Sequence, residues 1–234
     1  MEVIGNAFRD ALGLLLHADP ATLRVVGLSL AVSGMATILA AVVGVPVGAL
    51  LAIHRFPGHR LLTTLVNTGM GLPPVVVGLV VALLLWRSGP LGWLGILYTP
   101  AAMIVAQWMV AMPLAAGLTA GAVRLLDREL LGALRVDGAT EMQVGWELIR
   151  IARTQVLIAI AAAFGRAISE VGASLMVGGN ILNATRVLTT TITLETSKGD
   201  FDRAIALGII LLVLALMVNS ALGWGTQRDG FALR

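Results

Sequence analysis

Five stretches of near-continuous apolar residues constrain this chain more than any other feature of its sequence. They run from Val25 to Ile53, Leu62 to Trp86, Pro100 to Ala122, Val156 to Val177 and Ala204 to Trp224. A hydrocarbon core about 30 Å thick takes about 20 apolar residues in helix, because each backbone amide must find its partner inside the segment. The sequence therefore predicts an all-α polytopic membrane protein with about five transmembrane helices. Composition agrees: of 234 residues, 58% are hydrophobic and 12% charged, where a soluble domain carries roughly 25% charge. The first stretch is long enough to need tilt or an interfacial end. Pro73 and Pro74 remove two amide donors from the second, which predicts a break there.

Charge sets the orientation and excludes several functions. Met1 to Asp10 carry Glu2, Arg9 and Asp10, and the apolar run Ala11 to Leu16 is short for a cleaved signal. Residues 1–20 are expected to form an interfacial helix, 21–225 the membrane domain and 226–234 a cytoplasmic tail. With the first span running inward, Arg55, Arg60, Arg124, Arg128, Arg135, Arg150, Arg153, Arg228 and Arg234 face the cytoplasm. Arg9, Arg24, Arg87, Arg186, Lys198 and Arg203 then face outside. That excess favours an outer amino terminus and a cytoplasmic carboxyl terminus. Trp86, Trp93 and Tyr98 would then mark the outer boundary. A net charge of +3 gives no reason to expect nucleic acid. The absence of cysteine excludes disulfides and thiolate metal sites. Gly44 with Gly48, and Gly117 with Gly121, place small residues on one helix face and are expected to be packing sites.

One cytoplasmic connection, about 123–155, is far longer than a turn requires. Asp127 and Glu129 suit a helix start, Leu130 and Leu134 form an apolar i, i+4 pair, and Gly138 permits the positive φ that ends a helix. Thr140 and Gln143 fit a capping box for a second helix. On it, Met142, Trp146 and Ile149 recur at helical spacing, with Glu141, Glu147 and Arg150 elsewhere around the surface. An exposed apolar knob of this kind needs a partner surface or lipid to cover it. Lying flat on the membrane is the simpler alternative.

At this point the residues become recognisable. The chain resembles the membrane permease subunit of ATP-binding-cassette importers, within them the tungstate and molybdate oxyanion group, and most nearly the tungstate type. The resemblance rests on Gly71-Leu72-Pro73-Pro74-Val75-Val76-Val77-Gly78, on Gly138-Ala139-Thr140-Glu141 through Arg153, and on Gly165 through Ala173 continuing to Ile181. It implies a homodimer with two cytoplasmic ATPase subunits and an extracytoplasmic binding protein, in the plasma (inner) membrane. No cofactor belongs to this chain; ATP and Mg belong to the partners. In the family's loop motif, Gly138 and Ala133 match, whereas Gly132 replaces a Glu, Leu134 replaces the second Ala, and the closing Pro is absent. The resemblance gives the ATPase-coupling role to Ala133, Gly138, Ala139, Thr140, Glu141, Met142, Trp146 and Ile149. The only lysine is Lys198, so no P-loop lysine is available and the chain is not itself expected to be an enzyme.

Arg166 and Glu170 are expected inside the fourth span, one helical turn apart, where unpaired charges cost roughly 2.5–3.5 kcal/mol each. They are candidates for an intramembrane ion pair. Such a pair serves as a structural tie, as a positive field for a divalent anion, or as a proton relay through Glu170 in a secondary transporter. The Pro73-Pro74 break with Asn67, Thr68 and Ser169 forms a candidate translocation pathway. The polar segment from Asn180 to Asp202 is expected outside, as a gate, a binding-protein contact or a plain loop. His54 and His59 flank a tight turn and are expected to be solvated there. Tungstate is the first expectation for the substrate, with molybdate or sulfate as alternatives.

Overall fold

The computed structural model describes residues 20–230. The interfacial helix expected before Pro20 and the last residues of the tail lie outside that range. The elements are α1 (Pro20–Ile53), α2 (His59–Met70), α3 (Pro74–Leu85), a 3-10 turn (Gly92–Leu94), α4 (Pro100–Arg124), α5 (Arg128–Val136), α6 (Glu141–Ile151), α7 (Arg153–Ile168), α8 (Gly172–Gly178), α9 (Leu188–Lys198) and α10 (Phe201–Gly230). No strand occurs among the described residues.

Three helices are long and apolar enough to cross a bilayer unaided: Pro20–Ile53, Pro100–Arg124 and Phe201–Gly223. The second expected span is a bent pair, α2 and α3, which meet at 110°. Pro73 is the N-cap of α3 and Pro74 its first residue, so the two missing N–H groups fall where a helix start has none to satisfy. The fourth span departs from expectation. Its helix α7 stops at Ile168 after 16 residues, about 24 Å at 1.5 Å per residue, and the chain restarts at Gly172 as α8. At its other end α7 meets α6 at 78°.

The bundle is organised along the α1–α4 seam. A Cβ placed on Gly44 would lie 2.9 Å from the Met112 carbonyl oxygen, and one on Gly48 would lie 2.8 Å from Thr119 Cβ. The glycines therefore let the two backbones touch, facing Ala111, Ala115 and Ala116, all fully buried. The second expected pair divides: Gly117 abuts the Met70 side chain, while Gly121 has open space around its Cα. Close contact of small residues replaces the hydrophobic drive that lipid does not supply.

The segment from Asn180 to Asp202 is not a plain loop. It contains α9, which packs on α10 and touches α1, with Leu188, Thr189, Thr190, Thr191 and Glu195 buried. Its hydroxyls are satisfied locally except that of Thr189, which reaches the Glu170 carbonyl. Thr191 donates to the Val187 carbonyl at 2.8 Å and Thr193 to that of Thr189 at 3.0 Å, so burial leaves no orphaned donor. Ser29 of α1 accepts the Leu188 amide at 2.8 Å, which pins the helix to the start of the first span.

Gly48→Val is expected to lower stability by about 1–3 kcal/mol, because the added carbons meet backbone. Gly121→Ala is expected to be neutral or slightly stabilising. Thermal unfolding of the two detergent-purified variants checks this, and equal melting temperatures would contradict the seam.

Candidate functional site

The long connection after α4 folds as a helical hairpin, α5–α6, and its capping signals are used. Asp127 caps α5 by accepting the Glu129 amide at 3.0 Å. The helix ends in a full Schellman arrangement: the Ala139 amide donates to the Leu134 carbonyl and the Gly138 amide to that of Arg135, both at 3.1 Å. Gly138 stands at φ 82°, a conformation in which a side chain is strained. Thr140 and Gln143 then form the reciprocal capping box that opens α6.

Two faces of α6 have different tasks. Val144 and Leu148 are fully buried and pack with Val45 of α1, Val123 of α4 and Val156 of α7. Met142 and Trp146 point away, 86% and 70% exposed, and Ile149 is half-buried between the faces. The expected knob is therefore Met142 with Trp146. The anchoring stripe of Val144 and Leu148, which sequence reasoning passed over, is what fixes its position. A signal for it was present, since Val144, Leu148 and Ala152 stand at i, i+4 and i+8. Ala133 and Ala139 lie on the α5 side; Ala139 packs against the same cluster.

Electrostatics lock the hairpin. Arg135 donates from Nε and Nη2 to the two Glu141 oxygens, each at 3.0 Å, and His54 Nε2, at the end of α1, lies 3.4 Å from Oε2. The Arg135 hydrogen bonds hold the Glu141 carboxyl below its ordinary range, aided by the charge of Arg135 and by His54. Neither histidine is merely solvated as expected. His59 donates from Nε2 to the Leu51 carbonyl at 3.0 Å, which Arg124 also engages at 3.1 Å. Beside this corner lies a hollow of about 1400 Å³ whose lining includes Arg55, Arg60, Arg124, Arg135, His54 and His59.

Within the membrane domain the structure brings the two helix breaks together. A Cβ on Gly78 of α3 would lie 2.6 Å from Ala173 Cα of α8, and one on Gly172 would lie 3.5 Å from Val75 Cα. Thus the Pro73-Pro74 break and the Ser169–Val171 break adjoin. Pro74 is half-buried, whereas Asn67, Thr68, Pro73 and Ser169 are exposed. The Arg166–Glu170 pair does not form. Its reason is the end of α7: Ser169 is the C-cap, so the i, i+4 register fails. Arg166 remains half-exposed on α7. Glu170 is 3% exposed and accepts the Ala173 amide at 2.9 Å, capping the first turn of α8. Thr189 donates to the Glu170 carbonyl at 3.0 Å, tying α9 to the same break.

Comparison with known proteins gives the family of this bent-span bundle with its capped hairpin. Residues 44–228 match the family of binding-protein-dependent transport system inner membrane components. The chain belongs to that family. It is 42% identical over 222 residues to a tungstate uptake system permease protein of Peptoclostridium acidaminophilum, covering 95% of this chain and 97% of that one. It is 45% identical over 201 residues to a probable anion ABC transporter permease protein of Haloferax volcanii, covering 84% and 87%. Among solved structures it is similar to a bacterial alginate ABC transporter in complex with an alginate pentasaccharide-bound periplasmic protein. There the TM-score is 0.72 at 20% identity, covering 97% and 86%.

Two outcomes are expected. Because the Glu141 carboxyl is depressed below its ordinary value of 4.5, the clamp's contribution is complete above pH 4.5 and is lost as the pH falls through the depressed value. Protection of the α6 amides against hydrogen exchange, relative to the intrinsic rate at each pH, should fall over that acid range in the wild type and show no such dependence in Glu141→Gln. Separately, Glu170→Ala orphans the Ala173 amide and should cost about 1–3 kcal/mol, while Glu170→Gln keeps an acceptor and most of the stability, as read by thermal unfolding.

Proposed function

We propose that this chain forms the translocation pathway of an ATP-driven importer for a tetrahedral oxyanion, tungstate first and molybdate or sulfate after it. The similarity to a tungstate uptake permease over nearly the whole of both chains supports that order. In this reading the functional unit is a homodimer joined to two cytoplasmic ATPase subunits and an extracytoplasmic binding protein. ATP and Mg act on the ATPase subunits. The amino terminus lies outside and the carboxyl terminus in the cytoplasm.

The observation that carries the reading is the hairpin: a rigid, doubly capped element that holds Met142 and Trp146 out from the bundle. An exposed tryptophan beside a methionine is a natural anchor for a partner pocket. The adjacent hollow, lined by Arg55, Arg60, Arg124 and Arg135, favours an acidic partner surface and speeds encounter. Closure of the ATPase dimer would pull on α6. Through Val144 and Leu148 the pull reaches α1, α4 and α7 together, and α7 ends at the paired breaks. Movement there alternates access for the anion, provided the permease prefers different shapes in the two nucleotide states.

Trp146→Glu is expected to weaken association with the ATPase subunits by about thirtyfold, the equivalent of a loss of about 2 kcal/mol, while the protein still inserts in the membrane. Reconstituted assemblies with loaded binding protein should show ATP hydrolysis that no longer responds to tungstate. Unchanged stimulation would refute the docking role.

A further inference from the structure

At the end of the bundle opposite the hairpin, arginines from three separate elements line one small hollow: Arg24 near the start of α1, Arg186 in the connection before α9, and Arg203 in the first turn of α10. Its volume is about 70 Å³. A single water occupies about 10–15 Å³ of such space, so the hollow holds a few waters or one tetrahedral dianion.

Among the described residues the lining carries more positive than negative charge. Glu195 lines the hollow, but Lys198 Nζ stands 3.1 and 3.3 Å from its two oxygens. That leaves three arginines lining one space, whose mutual repulsion a bound anion relieves. Their donors are only partly used. Arg24 Nη1 donates to Asn183 Oδ1 at 2.7 Å, which leaves the Asn183 amide nitrogen as a further donor. Arg186 uses Nε and Nη2 on Asn180, at 3.3 and 3.2 Å, and keeps Nη1. The Arg203 guanidinium has no hydrogen bond or ion pair among the described residues.

The connection that presents these groups is preset. Asn180 and Asn183 stand at φ 50° and 63°, left-handed conformations that Asn tolerates better than most side chains do. Thr185, fully buried, accepts the Ile181 amide at 3.0 Å and donates to the Gly178 carbonyl. Donors held in place before the anion arrives lose little freedom on binding it.

We infer that this hollow is an oxyanion subsite on the permease itself, which takes a divalent tetrahedral anion at the outer mouth. The outer placement rests on the orientation proposed above; the anion chemistry does not. The alternative occupant of the same arginines is an acidic side chain of the binding protein.

The test uses full-length protein in nanodiscs, dialysed against tungstate, molybdate or sulfate at up to about 1 mM and at constant ionic strength, since exposed charges are screened. Saturable binding is expected in the wild type and in Arg87→Ala, which alters an exposed arginine away from the hollow. Arg203→Ala should weaken it at least tenfold and Arg203→Lys by less, with unchanged melting temperatures. Absent binding in the wild type, or equal binding in Arg203→Ala, overturns the subsite. So does an Arg203→Glu variant that keeps anion binding yet loses the binding protein, which would make the hollow a protein contact. Because the chain lacks cysteine, Ala184→Cys labelled by an impermeant reagent on intact cells reads the side of the membrane. Labelling supports the outer mouth. Failure to label with anion binding retained overturns the orientation and leaves the anion site standing.

Discussion

The contact between α1 and α4 supports the rest of the molecule. Lipid tails are as apolar as leucine, so helices in a bilayer gain little by burying aliphatic surface against each other and must be held by close backbone packing. Gly44 and Gly48 against the alanines of α4 supply that closeness. Both ends of the seam are then used. At one, Val45 and Val123 receive the hairpin helix α6, and Arg124 of α4 bonds the Leu51 carbonyl of α1. At the other, Ser29 receives the amide that opens α9.

Against this rigid pair stand two spans that are each interrupted. The break after Met70 and the break after Ile168 meet through Gly78, Ala173 and Gly172, and the second buries Glu170 at its joint. Irregular backbone at membrane depth is tolerated only where protein or a cavity satisfies it. Here the Glu170 carboxylate and the Thr189 hydroxyl take that part. A closely packed seam thus stands beside two jointed spans.

The hairpin packs against that arrangement at one end of the bundle. Its caps, the left-handed Gly138 and the Arg135–Glu141–His54 cluster make it a stiff lever. Its buried stripe touches three spans at once. Sequence alone placed this element well. Capping residues act within a few positions of themselves, and local chemistry is legible without the fold.

What the sequence by itself determined was whatever depends on nearest neighbours or on solvent: apolar stretches of membrane length, the proline break, the helix ends at Asp137-Gly138 and Thr140, and an exposed knob. What only the tertiary structure decided was pairing between distant segments. Arg166 and Glu170 look like partners at i, i+4, yet α7 ends between them, because Glu170 is drawn to cap α8 while Thr189 binds its carbonyl from nineteen residues away. The threonine-rich stretch reads as a gate, a binding-protein contact or a plain loop, yet it is a partly buried helix whose hydroxyls bond nearby carbonyls or, for Thr189, that of Glu170. Arg24, Arg186 and Arg203 lie far apart in the chain and meet only because α1, the 180–187 connection and α10 come together at the same end of the bundle. Local signals fix where helices start and stop; which charges and hydroxyls face each other is set by packing, which no short stretch of sequence contains.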